Sequence, residues 1–457
     1  MKVMKFGGGC LKDSKSIAQA ADIIVREKPR PAVVVSAVSG VTDLLLETVH
    51  RAERSEREVG PGIDKVRSIH RTLAETMIMG QKTRGYTLRS LDAALHKLEK
   101  LLYGISYTAE ATPAARAAAA SFGERLASVL LAGILTDKGC PSVPFESDKI
   151  GMATDDVVEN ATVDLRAFKR NLAAVLKSPA RRAAVPVFTG FFGVTPKGRV
   201  ATFGRNGTDY SAAAVAFALG ADRLEIWKDV PGFMSADPKS VPAARKLDRL
   251  SYYEAAELSY FGAKILHPRT LEPLRGRKVS VVIKNLWEPD SPGTEVQPNG
   301  SVRKDVVKSV TSNADLALLR IHGPGVGYKP GIIGLIGRKL ADRSINIFSI
   351  ITSQTCINLL VDRREAGRSL AALKAERGGV IERVDLEEDI VLVAAVGEGL
   401  LRSKGLAARI FSSVSRAGVN VEMISSGASE VATYFIVAGR DQDKAVRALH
   451  REFFEPR

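Results

Sequence analysis

The chain begins Met-Lys-Val-Met-Lys5-Phe6-Gly7-Gly8-Gly9-Cys10, a short apolar run closing on a lysine, three glycines and a thiol. Glycines let backbone N–H groups approach phosphate oxygens, and lysine supplies a point charge. A helix beginning near Ser14 would favour negative charge at its start. The lysine precedes the glycines and no Gly-Lys-Ser/Thr follows, so this is not a Walker A loop. Alone, the stretch fits a strand-to-helix turn as well as a phosphate site.

Five further stretches carry reactive types. Val33–Asp43 ends an apolar run in Ser36, Ser39, Gly40 and Thr42. Ligands of open α/β sheets bind beyond the carboxyl ends of strands; the same hydroxyls would also serve as helix caps. Ser121-Phe-Gly-Glu124-Arg125 places a glycine inside a helical stretch, which costs about 1 kcal/mol against alanine and implies close approach by a ligand or another backbone. Glu124 there would suit an ammonium group, or be a surface carboxylate. Gly204-Arg205-Asn206-Gly207-Thr208-Asp209 sets an arginine between glycines ahead of a helix, a fork able to grip a carboxylate with two hydrogen bonds. Asp209 would orient a lysine or cap the helix. Trp227-Lys228-Asp229-Val-Pro-Gly232, followed by Asp237-Pro238-Lys239, is a shaped loop able to form an adenosine pocket or a surface hairpin. In Phe261-Gly262-Ala-Lys264-Ile-Leu-His267-Pro268, Lys264 would reach a second phosphate and His267 suits a structural role. No triad pattern and no metal-ligand spacing is evident.

The elements that must position these residues alternate. Strand candidates are Val3–Phe6, Ala32–Ser36, Ala184–Thr189, Arg223–Lys228 and Ser280–Lys284. Helical candidates are Ser14–Glu27, Leu88–Leu102, Pro113–Asp137 and Tyr210–Leu219, with Thr112 as a cap and Gly139 as an exit. Such alternation predicts a mostly parallel sheet covered by helices on both faces. The polar segment Glu53–Leu102 reads as a helical protrusion. Beyond a Pro- and Gly-rich stretch from Pro289, the segments starting at Asp315 and Asp389 match at a constant offset of 74 residues. Gly323 pairs with Gly397, Gly325 with Gly399, Gly331 with Gly405, Asn346 with Asn420, and Ile350 with Ile424. Each copy reads strand, glycine-rich turn, helix, strand.

The 457 residues suit two to four domains. A net charge of +15 suits an anionic ligand. The basic residues are scattered, without a zinc finger or aromatic-basic interleaving, so neither nucleic acid nor a membrane is the expected partner. Cys10, Cys140 and Cys356 are too far apart for a disulfide framework and fit a reducing cytoplasm. The apolar region near 111–135 is interrupted by Arg116, Glu124 and Arg125 and reads as a core helix.

Taken together, the six stretches resemble the aspartate kinase family of the amino-acid kinase fold. Lys5-Phe-Gly-Gly8, Ser121-Phe-Gly-Glu124, Gly204–Tyr210, Trp227–Pro238 and Glu257–Pro268 match its motifs in order. The repeated tail resembles tandem ACT regulatory domains, with Met423–Glu430 similar to the second ligand segment. The resemblance implies an αβα sandwich over 1–296, then two ferredoxin-like α+β ACT domains over 309–384 and 385–457. It implies ATP-dependent phosphorylation of the β-carboxylate of L-aspartate, the first step towards lysine, threonine and methionine. By it, Lys5 and the N–H groups of Gly7 and Gly8 would hold the transferring phosphoryl, and Asp209 would orient Lys5. Ser36, Thr42, Glu124 and Arg205 would hold aspartate, and Lys228, Asp229, Lys239 and Lys264 would line the ATP site. Mg²⁺ would be held mainly by phosphates and water. A homodimer or larger homo-oligomer and an amino-acid effector at the ACT pair are further implications. A kinase of another amino acid or carboxylate, and a non-catalytic amino-acid sensor, are the alternatives. Four departures stand out: Gly9 and Cys10 replace hydroxyl or small residues, Lys228 a common threonine, and Met234 a common tyrosine. Phe348 stands near where lysine-sensitive members carry an acidic residue, which argues against lysine inhibition through that position.

Overall fold

The computed structural model describes residues 1–178, 183–204, 206–263, 265–298, 306–327, 329–374 and 381–455. The chain divides into two compact units. The first comprises 1–233, 248–256 and 265–300; the second comprises 234–247, 257–264 and 301–457. The chain therefore passes from one unit to the other five times, not through a single linker.

The first unit is built on β1 (Lys2–Phe6), β2 (Ala32–Val35), β3 (Ser142–Phe145), β4 (Val185–Thr189), a small hairpin of β5 (Phe192–Val194) and β6 (Val200–Thr202), then β7 (Arg223–Lys228), β8 (Arg249–Ser251), β9 (Ser280–Asn285) and β10 (Thr294–Gln297). The large sheet runs β3-β4-β2-β1-β7-β9-β10-β8. Within it only β9 and β10 pair antiparallel. All the strand candidates are present, with ends differing by one residue at most.

Strand alternation divides the side chains between the two faces. Met4, Phe6, Val33, Val35, Val185 and Val187 enter a core shared with the helices Ser14–Arg26 and Phe122–Asp137. Lys5 lies on the other face, over the helix Gly207–Leu219. The polar segment expected to protrude does not. It forms the helices Val59–Met77 and Gln81–Thr108, whose Ile63, Leu91, Leu95 and Leu98 join the same core. Their apolar stripes are narrow, so composition understated their burial. The Pro113–Asp137 run is long and apolar enough to cross a membrane, yet 78% of its most apolar window is buried in the protein. It is two helices, Pro113–Ala120 and Phe122–Asp137, meeting at Ser121. Thr112 caps the first through a hydrogen bond from the Ala115 N–H, with Pro113 opening its first turn.

The second unit holds two four-stranded antiparallel sheets. Its strands are β11 (Ser309–Asn313), β12 (Leu316–His322), β13 (Ser349–Thr352), β14 (Cys356–Asp362), β15 (Arg383–Glu387), β16 (Ile390–Val396), β17 (Met423–Ser426) and β18 (Ala432–Ala438). The sheets run β13-β14-β12-β15 and β11-β16-β18-β17. The first is the ferredoxin-like arrangement of a βαββαβ unit. The second has the same layout, but its outer strand, β11, comes from ahead of the first copy. The repeat glycines have a backbone reason. Gly331 and Gly405 sit at φ 90° and 76° as N-caps of the helices Ile332–Ala341 and Leu406–Arg416, a conformation open to glycine and strained for other residues.

Candidate active site

The parallel register fixes the site. Lys5 lies opposite Val34 on β2 and Ile226 on β7, and Phe6 opposite Val35 and Trp227. The carboxyl ends of β1, β2, β4 and β7 therefore deliver the glycine turn, Ser36, Gly190 and Lys228 to one edge, where ligands of such sheets bind. A cavity of about 300 Å³ opens there. Gly8, Gly9, Ser36, Thr42, Glu124 and Thr208 are among the residues that line it.

Local structure resolves several ambiguities of the sequence. The helix Val41–Ala52 starts at Gly40, which carries no side-chain cap. The hydroxyls of Ser39 and Thr42 are thus not used as caps, and both residues line the cavity. The Ser36 hydroxyl donates to Thr208 Oγ1 at 3.0 Å. Gly123 is required by a close crossing: a Cβ there would stand 2.7 Å from Ala37 Cβ. That crossing brings Glu124 to the loop after β2, where its Oε1 accepts the Ala37 N–H at 3.1 Å. Glu124 is buried and its Oε2 has no hydrogen-bond partner among the described residues. Burial pushes its carboxyl up to about 8, against the opposing pull of the Ala37 N–H and the Lys5 charge. A half-satisfied buried carboxylate at a cavity wall is built to receive a cationic donor.

Asp209, in the first turn of its helix, does not cap it. Its buried carboxylate pairs with Lys5 Nζ at 2.5 Å and with Lys228 Nζ at 3.5 Å. Burial alone would raise this carboxyl; the ammonium groups of Lys228 and Lys5 outweigh that and hold it below the usual carboxylate range. Burial lowers the Lys228 ammonium from its ordinary value, and Lys5 adds to the effect while Asp209 opposes it. Cys10 is buried beside this cluster, and burial pushes its thiol up to about 11. The turn is tight around Asp229, since a Cβ on Gly9 would lie 2.9 Å from Asp229 Oδ2.

Lys5, Gly7, Gly8, Ser36, Thr42, Glu124, Asp209, Lys228 and Asp229 thus all belong to the first unit and to its strand-end edge. Lys239 belongs to the second unit, in an exposed turn where its N–H donates to Asp237 Oδ1. Arg205 and Lys264 lie outside the described residues. Phe191, Asn206 and Thr208, whose residue types pointed to no role of their own, also line the cavity. The stretch Gly204–Asp209 carried the signal for Asn206 and Thr208. In the second unit the Phe348 ring packs tilted against Tyr260 with centroids 5.3 Å apart, and its carbonyl accepts the Tyr260 hydroxyl at 2.7 Å.

A family model for the amino acid kinase family matches residues 1–285, and an ACT domain model matches residues 393–453. The lysine-sensitive aspartokinase 3 of Escherichia coli is 32% identical over 463 residues, covering 99% of each chain. The chain belongs to the aspartokinase family. The crystal structure of E. coli aspartokinase III with aspartate and ADP, an R-state, covers the whole of both chains at 30% identity with a TM-score of 0.83. The T-state structure of the same enzyme with lysine and aspartate matches equally well. Aspartokinase membership accounts for both halves of this architecture, the parallel sheet with its strand-end cavity and the paired antiparallel sheets.

Proposed function

We propose that the chain transfers the γ-phosphoryl group of ATP to the β-carboxylate of L-aspartate, giving 4-phospho-L-aspartate, at the edge formed by β1, β2, β4 and β7. One observation carries the reading: the glycine turn after Lys5 and the half-satisfied Glu124 carboxylate line the same cavity. Glu124 receives the substrate ammonium, and Ser36 and Thr42 offer hydroxyls to its carboxylates. Arg205 grips a carboxylate from the adjoining loop. Lys5 and the N–H groups of Gly7 and Gly8 meet the transferring phosphoryl, with Asp209 orienting Lys5. Lys228, Asp229, Lys239 and Lys264 serve the nucleotide.

The chemistry asks little else of the protein. The substrate carboxylate, with an ordinary pKa of about 3.9, is ionised at neutral pH and needs no general base. Phosphoryl transfer depends on alignment and charge stabilisation. Mg²⁺ fits as a companion of the nucleotide. Asp209 is already paired by two lysines, so the ion would be held by phosphates and water.

The same reading makes this a cytoplasmic, homo-oligomeric enzyme of lysine, threonine and methionine biosynthesis, regulated by an amino acid at the ACT pair. Phe348 offers an effector an apolar ring already packed against Tyr260 and no carboxylate, so the effector meets that position by packing and not by charge. The test is hydroxylamine trapping with purified protein, ATP, Mg²⁺ and L-aspartate. Aspartyl hydroxamate is expected; a hydroxamate formed from another amino acid and none from aspartate would overturn the substrate assignment.

A further inference from the structure

We infer that Lys228 is a positioning residue for phosphoryl transfer: it keeps Asp209 paired while Lys5 meets the transferring group, and so gives this active site a further working cation beside Lys5. The inference deepens the aspartate-kinase reading and rests on it.

The argument starts from the sheet. Ile226 lies beside Lys5 in parallel register, and Lys228 is two residues further along β7, so it projects from the same face. Both ammonium groups thereby meet the carboxylate that the helix Gly207–Leu219 presents to that face. They take different oxygens, Lys5 on Oδ1 at 2.5 Å and Lys228 on Oδ2 at 3.5 Å. One lysine would neutralise Asp209; two leave an excess positive charge where nucleotide phosphates arrive.

The division of oxygens matters when the substrate binds. Lys5 carries three N–H donors, and sharing them between Asp209 and phosphoryl oxygens weakens its hold on Asp209. A buried carboxylate stripped of its cation is strongly unfavourable. Because Lys228 keeps Oδ2 paired, Asp209 need not be stranded and Lys5 is free to follow the phosphoryl. Neither Gly9 nor Cys10 offers a hydroxyl on this side of the turn, and among the described residues Lys5 and Lys228 are the cations paired with Asp209 beside it. Among the described residues, the charged and titratable groups around Lys228 are Lys5 from β1, Cys10 from the turn, Asp209 from the helix and its chain neighbour Asp229. An ordinary lysine titrates near 10.4; burial and Lys5 bring Lys228 below its ordinary value.

The test compares hydroxamate formation by wild type, Lys228→Met and Lys228→Arg across pH, with thermal melting as a check of folding. Lys228→Met should lower kcat by about 10- to 100-fold, the scale of a misplaced reacting group, with KM for aspartate changed less than about twofold, the split expected of a group acting in the transition state. Lys228→Arg should restore most of the turnover and carry the alkaline fall of kcat to higher pH. A folded Lys228→Met enzyme with wild-type kcat, or an alkaline fall that does not move in Lys228→Arg, overturns the inference while leaving the aspartate-kinase reading intact. A wild-type protein unable to form aspartyl hydroxamate overturns both.

Discussion

Glu124 stands at the cavity wall with one oxygen on the Ala37 N–H and the other without a partner among the described residues. Its carboxyl, moved up to about 8 by burial, titrates near 4.3 in an unfolded chain. The folded protein therefore keeps a proton that the unfolded chain has released. The stability this confers is fully present below about pH 4.3 and is lost as pH rises through 8. Glu124→Gln, which cannot ionise, should gain in melting temperature relative to the ligand-free wild type on going from pH 5 to pH 8.5; a constant difference would refute the assignment. Substrate binding should show the opposite sense. An ammonium group recruits the ionised form, so wild-type affinity for aspartate should rise towards pH 8. Glu124→Gln should weaken binding by about 10- to 100-fold, the value of a hydrogen bond to a charged group, read as KM. At this scale the sequence was informative about identity and silent about pairing. Lys5, Glu124 and Asp209 stand out because buried-looking stretches seldom carry charge. That Lys228 shares Asp209 depends on the register of β1 against β7, which no residue type announces.

Among the elements, the crossing at Gly123 sets where Glu124 stands. Gly123→Ala would drive a Cβ into Ala37 Cβ at 2.7 Å, between a helix and a loop with little room to part. Overpacking of this kind costs about 1–3 kcal/mol. Here it should also raise KM for aspartate, because the helix and the Ala37 N–H must separate. Calorimetry and steady-state kinetics on the variant check both; an unchanged KM would show that the crossing does not position Glu124. The element pattern was the most legible level. Parallel strands buried on both faces read as apolar runs, and all the strand candidates survive in the structure. The break at Ser121 was hidden by alanine-rich sequence that favours helix on either side. The burial of Val59–Met77 and Gln81–Thr108 was hidden by polar residues on their outer faces.

For the whole molecule, the repeat was plain from its 74-residue offset, but its closure was not. Among the described residues no strand follows β18 in the copy that begins at Asp389, and the outer edge of its sheet is supplied by β11 through pairing with β16. A fragment spanning 306–457 should therefore give a discrete species on size exclusion, whereas 315–457, lacking β11, leaves β16 with a bare edge and should aggregate. Equal behaviour of the two would mean that β11 is dispensable.

The same strand imposes an order on biosynthesis. A chain leaving the ribosome completes β12 to β15 as soon as Glu387 emerges, and that sheet can close at once. Ser309–Asn313, made earlier, has no strand to pair with until Ile390–Val396 follows, and no finished sheet until Ala432–Ala438 is out. At translation speeds of about 5–20 residues per second, the oldest strand of this unit waits several seconds as an open hydrogen-bonding edge, during which a neighbouring nascent chain is its nearest competitor.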